Sequence, residues 1–190
     1  HYRTKAGWVQ AVDGVSFALK RGQSLGLVGE SGCGKTSVAM SIMRLLPYNA
    51  HIRHGRIILG GRDVYAMTSE EFRRVRWKEI SMIFQAAMNA LNPVYTVGSQ
   101  IVEAIVEHEP DTTEGEARRR VAELFDLVGI PADRADHYPH EYSGGMKQRA
   151  VIAMALACNP SLIIADEPTT ALDVIVQDKI LREMEEIRRR

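Results

Sequence analysis

Residues 24–40 read SLGLVGESGCGKTSVAM, and the fold is decided there. An apolar run collapses into glycines, then a lysine and a threonine, then a new apolar run. A turn built around a phosphate accounts for that order. Glycines permit backbone angles that aim successive N–H groups at one point. A helix starting near Lys35 adds the positive end of its dipole. Gly29, Glu30, Ser31, Gly32, Cys33, Gly34, Lys35 and Thr36 fit the spacing G-x-x-x-x-G-K-[ST], with a strand expected before and a helix after. Lys35 then brings a full charge to a phosphate chain, and Thr36 brings a hydroxyl to Mg2+. The alternative is a glycine-rich structural turn, and the strand-and-helix context argues against it.

Working outward, residues 11–29 read as an alternating strand, a turn at Arg21-Gly22 and a buried strand ending at Gly29. Residues 35–46 read as a helix that Pro47 stops. Residues 55–64 suggest two short strands about a Gly60-Gly61 turn. Ser69 is a plausible N-cap for a helix that follows, and residues 80–84 form a short buried strand ending at Gln85. From Val97 to about Cys158 the texture turns helical, and residues 161–168, SLIIADEP, return to a buried strand. Strands interleaved with helices indicate an α/β fold with a mainly parallel sheet. An α-helical block is expected as an insertion between two of its strands. The domain reading is 1–95 for a nucleotide-binding core with an N-terminal β region, 96–158 for the helical subdomain, and 159–190 for the continuation of the core.

Composition narrows the class. Among 190 residues, 24 are basic and 24 acidic, so the formal net charge is zero. Nothing in that balance suggests a general nucleic-acid or membrane-surface binder. Apolar residues make up 45%, enough for a real core. Cys33 and Cys158 form no disulfide framework or metal-ligand pattern, which fits a reducing compartment. No apolar stretch approaches the ~20 residues that span a bilayer. The sequence begins without methionine and ends within a charged helical stretch, so it is expected to be part of a longer chain.

Two further patterns carry chemistry. Asp166 and Glu167 fall at the carboxyl end of an apolar strand, where ligands bind in open α/β sheets. Asp166 suits the Mg2+ shell, and Glu167 suits a base that orients or deprotonates water. The plainer reading is a strand end meeting solvent, and the glycine loop weakens it. Ser143-Gly144-Gly145 opens an apolar helix and makes a second anion site. One chain has no obvious use for two such loops in one site, so this one suits a second copy's site. An ordinary helix cap is the plainer reading.

With these pieces in hand, the chain resembles the nucleotide-binding subunit of ATP-binding cassette (ABC) transporters, from about Val12 onward. The resemblance implies a P-loop NTPase (RecA-like) core with an N-terminal antiparallel β region. Ser143, Gly144, Gly145, Met146, Lys147 and Gln148 look like a variant of the signature LSGGQ, which acts in trans, with Tyr142 in the leucine position. Ala171, Leu172 and Asp173 lie in what looks like the D-loop. Gln85 looks like the Q-loop glutamine, so the resemblance makes Gln85 and Glu167 the catalytic pair and Thr36, Gln85 and Asp166 the Mg2+ set. The nucleotide set runs from Gly29 through Thr36 and adds Ser37 and Tyr2. Tyr2 is taken as the aromatic that stacks on adenine, although spacing alone leaves Trp8 open. The family's switch histidine lies on a strand beyond Arg190, so a chain of these 190 residues is expected to hydrolyse ATP slowly.

Stretches such as YPHEYSGGMKQR and IADEPTTALDV resemble the ATPase subunits of oligopeptide and dipeptide importers, a subgroup that also serves nickel and oligosaccharide uptake. The resemblance implies a second ATPase subunit placed head to tail, two membrane permease subunits, and indirectly an extracytoplasmic binding protein. The site of action would be the cytoplasmic face of the membrane. A soluble ABC ATPase uncoupled from transport is the rival, but it usually carries a coiled coil or tandem cassettes. Ala86 and Ala87 depart from the subgroup's acidic residue and proline after the Q-loop glutamine. The histidines at 51–54 and 137–140 have metal-like spacing without a carboxylate or cysteine cluster to complete a site.

Overall fold

The computed structural model describes residues 1–85, 90–168 and 174–189. They form two compact units, His1–Arg76 and Trp77–Arg190.

In the first unit, β1 (Tyr2–Thr4) and β2 (Gly7–Val9) pair antiparallel, with Tyr2 opposite Val9. The other edge of β1 is also held. Arg3 donates to the Asn49 carbonyl at 2.7 Å, and Tyr2 bridges to Ala50. Helix α1 (Lys35–Ile42) follows the glycine loop and ends earlier than Pro47 suggests. The cause is Arg44, which takes a left-handed φ of 52°. Its N–H bonds to Ser41 and that of Leu45 to Met40, the paired closure of a Schellman motif. A non-glycine residue seldom sits there. Arg44 is fastened by its side chain, which donates to Met67 O at 2.9 Å and lies over the Phe72 ring at 5.2 Å.

Strands β3 (Ile58–Leu59) and β4 (Arg62–Asp63) form the expected hairpin. Gly60 and Gly61 both have positive φ, 55° and 80°, as a tight hairpin turn requires. Helix α2 (Ser69–Val75) is capped by Thr68 rather than Ser69. Glu71 lies three residues beyond Thr68, so the two close a capping box, which a Ser69 cap could not do.

The strands expected over residues 11–29 are not formed. The turn at Lys20–Gln23 is present, with Gln23 N–H on Lys20 O at 3.0 Å. No ladder flanks it among the described residues, and Leu25, Leu27 and Val28 are exposed. Alternating apolar residues signal a surface suited to pairing, but a strand exists only where a partner supplies the hydrogen bonds.

The second unit is built on a parallel pair. Strand β5 (Ile80–Ile83) runs beside β6 (Leu162–Ala165), in register from Ile80 with Leu162 to Ile83 with Ala165. Between them in the chain come α3 (Val97–His108), α4 (Glu114–Leu127), two short 3-10 turns (Ala132–Asp136, Pro139–Glu141) and α5 (Gly144–Leu156). This is the helical insertion read from the sequence. Its core joins Ile101 and Ile105 of α3, Val121 and Phe125 of α4, and Ala150 and Ala153 of α5 to Ile83 of the sheet. Gly98 is required where α3 meets the first 3-10 turn, because a Cβ there would lie 2.7 Å from the Ala135 carbonyl oxygen. Helix α6 (Val174–Arg189) closes the described chain.

Candidate active site

The glycine loop belongs to the first unit. Gly32 and Gly34 hold φ of 79° and 100°, angles that side chains resist. An added Cβ on Gly34 would fall on the Ala11 carbonyl, and one on Gly29 would lie 2.6 Å from Cys33 Sγ. Gly34 is the N-cap of α1 and brings no side-chain cap, so the helix opens with backbone N–H groups that an anion can take. Lys35 arches back over the loop and donates to Gly29 O at 2.8 Å and Glu30 O at 2.9 Å. The ammonium thus ties the ends of the loop and stands inside it.

Tyr2 is carried to the same place. Its hydroxyl lies 3.0 Å from Ser37 Oγ, one residue past Thr36. Trp8 has other partners, with the Arg53 guanidinium 4.1 Å over its ring and His51 edge-on at 5.3 Å.

The acidic residues belong to the second unit. Parallel pairing ends Ile83 and Ala165 side by side, so Gln85 and Asp166-Glu167 leave the sheet at one edge. Asp166 is buried, and its N–H bonds Ile83 O at 2.9 Å. Gln85 Nε2 donates to Glu167 Oε2 at 2.8 Å, bringing together two residues 82 positions apart. Glu167 has a φ of 48°, left-handed and costly for a non-glycine residue by roughly 1–3 kcal/mol. Such strain persists only where the surroundings enforce it, and here they do so on three sides. The third is Gln148, buried on α5, whose Nε2 donates to the Pro168 carbonyl.

Ser143 is the N-cap of α5, and its Oγ accepts from Met146 N–H at 3.3 Å. Ser143 and Gly144 are exposed, while Met146 packs on the core. Tyr142 is buried, donates to Arg134 O at 2.5 Å, and has its phenol pKa pushed up by burial. Gln148 points inward, away from the exposed start of the helix. The sequence signal for that was weak, because Gln148 stands between two charged residues, Lys147 and Arg149, as a solvent-facing residue would. Ala171, Leu172, Asp173, Ala86 and Ala87 lie outside the described residues.

The donors suited to Mg2+ are hard oxygens: the Asp166 carboxylate, the Gln85 amide oxygen and, in the first unit, the Thr36 hydroxyl. Gln85 commits its nitrogen to Glu167, so the amide oxygen is the end that could accept a cation. No group of three or more His, Cys, Asp or Glu forms a cage among the described residues. The histidine stretches have plainer partners: His137 Nδ1 lies 3.0 Å from Glu141, and His140 stacks on Tyr138. Cys33 is exposed, and Cys158 is buried with its thiol pKa raised to about 11 by desolvation.

The family model described as ABC transporter matches residues 12–170. The dipeptide transport ATP-binding protein DppD of Bacillus subtilis is 50% identical over 100% of this chain and 57% of its own length. The oligopeptide transport ATP-binding protein OppD of the same organism is 48% identical over 100% of this chain and 53% of its own. The chain thus spans about half the length of the curated relatives it matches. Among solved structures, the ATP-binding cassette MJ0796, dimeric in a post-hydrolysis state with ADP and Pi, is 27% identical with a TM-score of 0.80. That match covers 94% of this chain and 75% of the other.

Proposed function

Because the chain belongs to the ABC transporter family, we propose that it is part of the ATP-binding and ATP-hydrolysing subunit of an importer for oligopeptides or dipeptides. The observation that carries the catalytic half is the Gln85–Glu167 hydrogen bond at the carboxyl edge of the parallel pair. The choice of cargo is supported by relatives, about half identical, that are named for dipeptide and oligopeptide transport.

In this reading the N–H groups of residues 29–36 and the Lys35 ammonium bind the β- and γ-phosphates, and Tyr2 stacks on adenine. Mg2+ held by Thr36, Gln85 and Asp166 would neutralise phosphate charge. Glu167, oriented by Gln85, accepts the proton of the attacking water. Ser143, Gly144 and Gly145 of one copy meet the ATP bound on the other, with Ala171, Leu172 and Asp173 alongside. ATP thereby favours a closed head-to-tail pair, and hydrolysis releases it. Two permease subunits receive that motion near Gln85 and the helical subdomain, residues 96–158. An extracytoplasmic binding protein delivers the cargo. Among the described residues no helix is long and apolar enough to cross a membrane, so membrane attachment is assigned to the permeases.

The direct test is Glu167→Gln, which removes the base and keeps the size. Single-turnover hydrolysis should slow by ~10²–10⁴ with ATP affinity retained. Normal turnover would end the assignment. A second expectation concerns residues 1–190 as a chain on their own. No histidine follows His140 in it, so no imidazole downstream of Glu167 aligns water and base. Lost alignment can cost ~10²-fold, so a longer chain should hydrolyse ATP faster, and equal rates would show that no such group is needed.

A further inference from the structure

The three restraints on Glu167 are of different kinds. Ile83 fixes the backbone just before it by accepting from Asp166 N–H, as any sheet neighbour would. Gln85 fixes its carboxylate. Gln148 fixes the peptide just after it, and for this the chain buries a side-chain amide where α5 packs on the core, between Lys147 and Arg149. A buried amide needs partners, and a polar side chain in a helix core is costly unless it holds something in place. Gln148 holds the carbonyl of Pro168, next to a residue whose φ of 48° would relax if its neighbours let go.

Gln148 lies one helical turn after Gly144, where α5 has passed from its exposed start at Ser143 and Gly144 into the buried core. The exposed start of that helix and the turn carrying Glu167 are therefore joined by a single turn of helix and one hydrogen bond. We infer that Gln148 is a positioning residue for hydrolysis, acting within its own chain: it ties the helix that begins at Ser143 to the turn that aims Glu167. The inference rests on the reading of Glu167 as the base. It gives Gln148 a different task from Ser143 and Gly144, which face outward.

The test uses the full-length subunit. Gln148→Met keeps length and burial but removes the donor. Its single-turnover rate should fall roughly tenfold or more, since small misplacements of a catalytic group carry losses up to about 10². ATP affinity should stay within about twofold, because the Gln148 amide is buried on the Pro168 carbonyl, away from the exposed Ser143 and Gly144. Added to Glu167→Gln, the same change should bring no further loss, because there is no base left to aim. ATP-dependent dimerisation in that background should persist.

A wild-type rate in Gln148→Met, beside a slow Glu167→Gln, overturns the inference and leaves the base in place. An equal fold-loss in the Glu167→Gln background, or loss of ATP-dependent dimerisation, also overturns it. Normal turnover in Glu167→Gln removes both readings. Should Gln148→Met fail to fold, Gln148→Glu decides. Its carboxyl can donate to Pro168 O only when protonated, so its rate relative to wild type should fall as pH rises. A ratio independent of pH overturns the inference.

Discussion

In the proposed site, phosphate capture turns on Lys35. Its ammonium already bonds two carbonyls of its own loop, so the loop has its curvature before any ligand arrives. Lys35→Ala removes both that tie and the charge, and charge-assisted contacts are about twice as strong as neutral ones. The expected outcome is loss of ATP binding by calorimetry with the fold intact by circular dichroism. Unchanged affinity would remove the basis for the site. The residues proposed for this chemistry stand out in the sequence because short motifs place them by spacing: Lys35 and Thr36 behind glycines, Asp166 and Glu167 at a strand end. Gln85 could be read only through resemblance, and the structure sets it against Glu167. The inward turn of Gln148 could not be read, since which face of α5 is buried depends on α3, α4 and β5 together.

At the scale of elements, the helix caps obey a local rule that the Ser69 reading missed by one residue. Thr68 with Glu71 and Thr113 with Glu116 close capping boxes at the starts of α2 and α4. Both follow the Thr-x-x-Glu spacing, so local chemistry alone specifies them. Thr113→Ala should cost about 1 kcal/mol in urea unfolding at neutral pH, the usual worth of such a cap. The pH dependence has a definite sign. The Thr113 hydroxyl and N–H hold the Glu116 carboxyl below its ordinary pKa, so that stabilisation is present above the unfolded value. It is lost as pH falls through the lower, folded value. The gap between wild type and Thr113→Ala should therefore narrow in acid, and a gap constant with pH would show that the carboxylate plays no part. The strands were less legible for the opposite reason. Residues 11–29 alternate as a strand should, but pairing is a property of two segments, and the pattern of one cannot show that its partner is in place. The early end of α1 had no sequence signal, because Arg44 is a poor left-handed residue that only its contacts with Phe72 and Met67 make tolerable.

For the molecule as a whole, the consequential device is one parallel pair. It brings Gln85 and Glu167, far apart in sequence, to a common edge, and the helices inserted between the two strands present Ser143 and Gly144 outward on α5. In the proposed function, the anion site at the start of α5 serves the ATP held around Lys35 of a second copy. That head-to-tail pair around ATP is the central claim. Its most direct test is the mass of the full-length Glu167→Gln subunit by size-exclusion light scattering, with Mg-ATP, with Mg-ADP and without nucleotide. A dimer in Mg-ATP alone, abolished by adding Ser143→Arg, is the predicted result. A monomer under all three conditions, or a dimer indifferent to nucleotide and to Ser143→Arg, would contradict it.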